Sequence, residues 1–178
     1  LPIWLGVAAA FEQFCTRRFD WLEDAKFVTS ADRSYLTLSR YPVYQVTAIN
    51  QRDDLASGFV ELPITTILNL NEESGFLDFG APLGSHNSLI EITYSGGYFW
   101  EQLETDDGGY PTATPTGATA LPADLLHAWQ VQCEATAIQM DLLNGGAARR
   151  ATDQSPRLAD LELTPGVIEM LNPYRRFC

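Results

Sequence analysis

The sequence is poor in basic residues, above all in lysine. Lys26 is its only lysine, and 11 basic residues stand against 23 acidic ones, which gives a formal net charge of −12 over 178 residues. Phosphate backbones are bound by Lys and Arg, so a chain this acidic is a poor candidate for wrapping nucleic acid. The same charge argues against docking on an anionic membrane surface.

Long apolar runs are also missing. No stretch reaches the roughly 18 apolar residues that a membrane-spanning helix needs. The apolar N-terminal segment has no preceding basic region and no small-residue cleavage site, so we interpret it as a core helix and not as a signal peptide. The three cysteines, Cys15, Cys133 and Cys178, are odd in number and far apart, which favours free thiols over a disulfide framework.

Catalytic motifs are nearly absent. The chain has no glycine loop for phosphate or a dinucleotide, no H-E-x-x-H and no G-x-S-x-G. His127 follows Asp124 by three residues on one helical face, where an exposed polar pair is the simpler interpretation than a metal site. The acidic turn at Glu72 and Glu73, with Asp78, lacks the spacing of a calcium loop. We therefore predict no enzyme activity, no catalytic residue, no metal and no cofactor.

Apolar periodicity predicts helices at both ends of the chain and strands between them. A period of three to four residues predicts a helix over 3–18, and Pro122 and Gly145-Gly146 frame a second helix over 123–143. Alternation, clearest over 88–94, predicts short strands. We predict an α+β fold, with a helical core of two main helices plus a short C-terminal helix and an inserted small antiparallel β-sheet.

These elements divide the chain into three parts. Residues 1–146 form the main domain, with helix 3–18, a β-rich insertion over 26–98, a long loop over 99–119 and helix 123–143. Residues 147–163 form a polar linker, and residues 164–178 form a C-terminal segment that contains the short helix. The two main helices are expected to pack through Phe11, Phe14, Trp129 and Cys133.

The long loop carries a cluster of carboxylates. Loops of this length inside a compact domain are uncommon and are usually functional or disordered. Its acidic residues are Glu101, Glu104, Asp106 and Asp107, with no Lys or Arg among them. Because like charges repel, the loop is expected to be extended and hydrated unless a basic partner neutralises it.

Seven short motifs follow one another along the chain. They are CTRRF (15–19), RYPV (40–43), SGFLDF (74–79), ITYSGGY (92–98), LPADL (121–125), TPGV (164–167) and LNPYR (171–175). In this order the set resembles the head–tail connector (adaptor) proteins of tailed bacteriophages. The resemblance runs from about Val7 to Arg176, and its most specific parts are YSGGY, LPADL and PYR.

The resemblance implies a structural virion protein of the neck, assembled in the host bacterial cytoplasm. Members of this family form a ring, commonly twelve-fold, beneath the portal, where the ring extends the DNA channel and receives a tail or stopper protein. The expected partners are therefore other copies of the chain, in a ring that is expected to be a dodecamer, the portal protein and a tail or stopper protein. DNA passes through without specific binding, since like charge keeps phosphate from adhering.

Two surfaces follow as predicted sites. The C-terminal segment is predicted to dock on the portal, because the family's C-terminal segments often do so and because Tyr and Arg are enriched at interface hot spots. Its candidate residues are Val167, Ile168, Leu171, Tyr174, Arg175, Arg176 and Phe177. The competing interpretation is that Val167, Ile168 and Leu171 fold back on the core. The four carboxylates of the long loop are predicted to face the channel or the tail.

Two alternatives belong to other functional classes. One is a β-rich virion-surface or carbohydrate-binding module, in which Trp100 and Tyr110 form an aromatic platform. The other is a carboxylate-dependent hydrolase, in which Glu101 and Asp106 act as acid and base. A binding module should be monomeric and hold a ligand, a hydrolase should lose activity on carboxylate substitution, and a connector should associate with a portal.

Overall fold

The chain forms two compact units in a computed structural model that describes residues 3–54, 56–99, 114–146 and 161–176. The helical unit is built from Leu1–Arg17 and Leu121–Cys178, and the β unit is Arg18–Ala120. Along the chain, the β unit is therefore inserted between the first and the second helix of the helical unit.

The helical unit contains three α-helices within its described residues. They are α1 (Ile3–Cys15), α2 (Ala123–Gly146) and α3 (Pro165–Leu171), and a 3₁₀ turn over Asn172–Tyr174 follows α3. Helix α1 packs on α2, and α2 packs on α3. Pro165 lies in the first turn of α3, where its missing N–H leaves no hydrogen bond unmade.

Helix α1 ends at Cys15, earlier than the predicted Arg18. Thr16 has a φ of 54°, and the amides of Thr16 and Arg17 donate to the carbonyls of Gln13 and Glu12 at 3.4 and 3.2 Å. This is the double hydrogen bond of a Schellman C-cap, with threonine at the left-handed position that glycine usually occupies. Because no glycine marks the end, the sequence pattern extends the helix too far.

The buried face of α2 lies one residue away from Trp129 and Cys133, through which this helix is predicted to pack on α1. Leu125, Ala128, Gln132 and Thr136 are buried, whereas Trp129 and Cys133 are only half-buried beside them. Trp129 still faces α1, because its indole Nε1–H donates to the carbonyl of Trp4 at 3.3 Å. Two of the four buried positions are polar. A prediction from hydrophobic periodicity misses them because it counts only apolar residues as buried.

The β unit contains nine strands within its described residues. They are β1 (Leu22–Ser30), β2 (Tyr35–Thr37), β3 (Val43–Arg52), β4 (Val60–Leu62), β5 (Asn69–Asn71), β6 (Phe76–Asp78), β7 (Leu89–Gly96), β8 (Tyr98–Phe99) and β9 (Thr119–Ala120). A 3₁₀ turn over Ile64–Thr66 follows β4.

Three sheets are formed. The largest has the order β1-β7-β3-β4 and is antiparallel throughout, the second has the order β2-β6-β5, and β8 pairs with β9 in parallel. One row across the first sheet joins Phe27, Ile92, Ile49 and Leu62. The β-branched residues of this row suit a pleated, half-buried surface.

The predicted fold class is wrong. Nine strands in three sheets outweigh three α-helices in the described residues, so the chain is strand-rich and is not a helical core with one small inserted sheet. The main buried cluster lies in the β unit, where Leu77 of the second sheet packs in the same core as Ile49, Ile92 and Tyr94 of the first. The second sheet is built from three-residue strands, and local sequence patterns do not show that these strands pair in a sheet of their own.

Within the described ranges, no helix is both long enough and apolar enough to cross a bilayer.

Candidate functional site

Three of the seven motifs that carry the resemblance meet at one junction of the β unit. The motif Tyr94-Ser95-Gly96-Gly97-Tyr98 runs from the end of β7 into β8, and it bonds to two other segments. The amide of Gly97 donates to the carbonyl of Pro42 at 2.9 Å, and the amide of Tyr98 donates to the carbonyl of Phe19 at 2.7 Å. Backbone hydrogen bonds thus join three segments that are distant in sequence: the end of CTRRF, the motif RYPV and the motif YSGGY.

Side chains reinforce this junction. The buried Tyr94 hydroxyl accepts a hydrogen bond from the amide of Arg40 at 3.0 Å and lies 3.2 Å from the Ser39 hydroxyl. The Arg40 guanidinium forms an ion pair with Asp20 at 3.3 Å, with both side chains largely shielded from solvent. A charged pair of this kind fixes orientation more than it adds stability.

The two glycines of the motif allow this close approach. A Cβ on Gly96 would lie 2.8 Å from the carbonyl oxygen of Pro42, and Gly97 has a φ of 105°, where a Cβ would overlap the carbonyl of Asp20. Residues with side chains rarely adopt such a φ, so the paired glycines are required by the backbone path. The YSGGY motif therefore has a structural role in the fold of the β unit.

The C-terminal segment contacts the rest of the helical unit at several points. Val167 and Leu171 are fully buried, and Ile168 is half-buried. The amide of Arg176 donates to the carbonyl of Cys15 at 2.9 Å, and the Tyr174 hydroxyl donates to Asp124 at 2.7 Å. The docking role of this segment stays a prediction, and of its three aliphatic candidates, all described, only Ile168 retains partial exposure.

Arg175 is the most exposed of the described candidates in this segment. Its guanidinium lies 5.3 Å from the centre of the Phe14 ring, in a cation–π contact, while the residue remains exposed to solvent. The exposed residues beside it are Asn172 and Pro173. Phe177 lies outside the described residues.

A buried glutamine holds the chain just before α3. The Gln132 side chain donates to the carbonyl of Glu162 at 3.2 Å and accepts from the amide of Thr164 at 3.0 Å. Thr136, one turn further along α2, donates to the carbonyl of Gln132 at 2.8 Å and accepts from the Gln132 amide at 3.4 Å. Every polar atom of this pair has a partner, as buried polar groups require.

Replacing Gln132 tests this attachment. Gln132→Met keeps the length of the side chain but leaves the Glu162 carbonyl and the Thr164 amide without their partner, so we expect a loss of about 2–3 kcal/mol in the free energy of unfolding. The matched control is Gln130→Met, at an exposed position of the same helix, which should change stability by less than about 0.5 kcal/mol. Equal effects of the two variants in urea unfolding would contradict this role.

The described cysteines are free thiols of low reactivity. Burial raises the pKa of Cys15 from 9.0 to about 11, against the opposing charges of Arg17 and Arg175, and burial also raises the pKa of Cys133. The Cys15 thiol donates to the carbonyl of Leu171 at 3.8 Å. The thiolate is the reactive form, so Cys15 is a packing residue and not a nucleophile.

The raised pKa of Cys15 makes stability fall at alkaline pH. The unfolded thiol ionises near pH 9 and the folded thiol near pH 11, so the unfolded state loses its proton first as the pH rises. The free energy of unfolding should therefore decrease between pH 9 and pH 11, and Cys15→Ala should remove this part of the decrease. Urea unfolding of both proteins at pH 8, 9, 10 and 11 measures it, and an identical pH dependence in Cys15→Ala would refute the assignment.

The predicted acidic loop cannot be placed. Glu101, Glu104, Asp106 and Asp107 lie outside the described residues, as do Trp100 and Tyr110 of the alternative binding module. Residues 147–160 of the predicted linker lie outside them too. No group of three or more His, Cys, Asp or Glu suited to a metal occurs in the part of the chain that the structure describes. Asp78, from the acidic turn, caps the amide of Gly80 at 2.8 Å instead.

Comparison with solved structures gives matches over nearly the whole chain. A chain in the neck of a native GTA particle, computed with C12 symmetry, is 18% identical with a TM-score of 0.54, and the match covers 99% of this chain and 81% of that one. A chain in the neck of an empty GTA particle, computed with C6 symmetry, is 17% identical with a TM-score of 0.54 and coverages of 99% and 76%. This chain shares its fold with gene transfer agent neck chains.

A third match agrees with the first two. It is a chain in the virion of a native gene transfer agent (GTA) particle, at 18% identity, a TM-score of 0.54 and coverages of 99% and 76%. No protein-family model and no curated protein matches the sequence. At the level of the fold, the resemblance to head–tail connector proteins that the ordered motifs indicate is confirmed.

Proposed function

We propose that the chain is a structural neck protein of a tailed-phage-like particle, and that its copies form a ring between portal and tail. The observation that carries the proposal is the fold, shared over 99% of the chain with chains from necks computed with C12 and C6 symmetry. The order of the motifs along the chain supports it independently, and three of the seven meet at one junction of the β unit. The proposal includes a location in the virion neck.

The charge of the chain suits a channel that lets DNA pass. A net charge of −12 per copy is multiplied around a ring, and like charge discourages phosphate from adhering to the wall. Glu101, Glu104, Asp106 and Asp107 are proposed to add to this effect, or to meet a basic patch on a tail or stopper protein. Charge reversal to lysine at all four positions separates these roles, since the first should slow DNA ejection and the second should leave filled heads without tails.

The C-terminal segment is proposed to dock on the portal through its exposed residues. Val167 and Leu171 hold α3 in the helical unit, which leaves Asn172, Pro173 and Arg175 on the surface. Arginine beside an aromatic ring presents a fixed fork of donors, which suits a carboxylate on a partner. The portal contact is therefore assigned to Arg175 and its neighbours, with the buried residues fixing their position.

The test is co-purification with the portal protein of the same particle. We expect the chain to bind the portal as a closed ring, seen in native mass spectrometry as one species whose mass exceeds that of the portal by a multiple of 19.7 kDa. Arg175→Glu should abolish portal binding without unfolding the protein. Arg33→Glu, at an exposed loop of the β unit, carries the same charge change and should bind normally. A chain that stays monomeric with and without portal would overturn the proposal.

A further inference from the structure

The four-stranded sheet ends on two free edges. Its order is β1-β7-β3-β4, so β1 and β4 are the outermost strands, at opposite sides of one sheet. Within the described residues, β1 pairs only with β7, and β4 pairs only with β3. In the part of the chain that the structure describes, each outer strand therefore presents N–H and C=O groups with no strand beside them, which is the arrangement that another strand can extend.

Both edges also expose apolar side chains. Leu22 and Val28 of β1 are 43% and 50% exposed, and Val60 of β4 is 67% exposed, with Phe59 exposed beside it. Soluble proteins usually shield or charge their sheet edges, because a bare edge invites pairing with another chain. Aliphatic residues on two such edges are typical of strands that are covered in an assembly.

The direction of the strands fits head-to-tail pairing between copies. All three pairings in the sheet are antiparallel, so β4 runs opposite to β1. A second copy, related to the first by rotation about a ring axis, would bring its β1 beside β4 of the first in the antiparallel sense. Closed rings with more than two copies need two different and complementary surfaces on each subunit. Two opposite edges of one sheet provide such surfaces.

We propose that β4 of one copy pairs with β1 of the next, so that the sheet continues around the ring. The inference rests on the proposed ring and names the surface that closes it. The occupant of each free edge is thus a second copy of this chain, joined by backbone hydrogen bonds between the two strands.

Charge supports the same pairing. Register places Val28, Glu91, Asn50 and Glu61 in one row on one face of the sheet, and Lys26 lies on that face two residues before Val28. Glu61 of one copy would therefore approach Lys26 of the next. The ammonium of Lys26 lies 3.2 Å from Glu91 in its own chain and its side chain is 63% exposed, which leaves it able to contact a second carboxylate.

The single lysine makes a sharp test. A carbodiimide couples an amine to a neighbouring carboxylate, and Lys26 is the only side-chain amine. In rings assembled from a mixture of isotopically labelled and unlabelled full-length chain, we expect a Lys26–Glu61 amide that joins the two kinds of chain. The Lys26–Glu91 amide within one chain is the internal control that shows the reagent has reacted. Lys26→Arg keeps the charge and should assemble without forming either product.

Charge reversal gives a second measurement. Lys26→Glu and Glu61→Lys should each weaken ring formation about tenfold or more, and the double variant should restore it. Circular dichroism checks that each variant is folded. A ring that gives no Lys26–Glu61 product and is indifferent to these variants would overturn the edge pairing while the ring stands. In that case the lysine serves to discourage strand addition at β1. A chain that never forms a ring would overturn the proposed function itself.

Discussion

Leu171→Ala should lower the free energy of unfolding of the helical unit by about 2–5 kcal/mol. Leu171 is fully buried at the end of α3, and its carbonyl accepts the hydrogen bond of the Cys15 thiol. Removing the side chain leaves a cavity beneath a seven-residue helix, which is too short to be stable without its tertiary contacts. Urea unfolding followed by the helical signal in circular dichroism measures the change.

The matched control for this change lies in the same helix. Glu169 is exposed, so Glu169→Ala should alter stability by less than about 0.5 kcal/mol. A Leu171→Ala variant as stable as Glu169→Ala would show that α3 does not depend on this contact. The same burial bears on docking experiments: truncation from residue 171 onwards removes a core side chain, so portal binding is better tested with surface variants such as Arg175→Glu.

Gly97→Ala should destabilise the β unit by about 2–4 kcal/mol. Gly97 has a φ of 105°, and the added Cβ would meet the carbonyl of Asp20. To make room, the end of β7 must move away from residues 20 and 21, and this breaks the hydrogen bonds that join the YSGGY motif to its neighbours. The loss should appear as a lower urea midpoint of the β unit, with the m-value unchanged.

Gly58→Ala is the control for the glycine variant. Nothing lies within 4 Å of a Cβ built on Gly58, and it adopts no positive φ. The substitution should be neutral or slightly stabilising, because alanine reduces the freedom of the unfolded chain. If both alanine variants behaved alike, the paired glycines of the motif would have no special structural role.

The helices and the central strand could be predicted from local signals. Pro122, Asp124 and Pro165 mark the beginnings of α2 and α3, and strict alternation identifies β7. These signals act within a few residues, so they can be read without the fold. The end of α1 could not be read, because Thr16 takes a left-handed conformation that sequence alone would assign to glycine.

The buried face of α2 could not be predicted from the sequence, for a different reason. Gln132 and Thr136 are buried because the chain near Glu162 and Thr164 satisfies their polar atoms. Nothing in the helix itself reveals these partners, which lie about thirty residues away. The grouping of β2, β5 and β6 into a second sheet could not be predicted for the same reason, since it depends on pairing between segments distant in sequence.

Among the candidate sites, the C-terminal segment could be predicted from residue type and family resemblance. Which of its side chains are buried and which are exposed could not. Val167 and Leu171 point into the helical unit, whereas Arg175 remains exposed. The sequence marks the YSGGY motif as specific but does not give the physical reason. That reason is the close crossing of this segment over residues near Asp20 and Pro42. The two free sheet edges depend on strand order, which no local pattern encodes.

Electron microscopy of the chain bound to the portal protein of its own particle tests the central claim most directly. The proposed neck role predicts class averages with a closed ring of this chain, coaxial with the portal and placed on its tail-facing side. Chains scattered over the particle surface, or absent from purified particles that carry portal and tail, would contradict it.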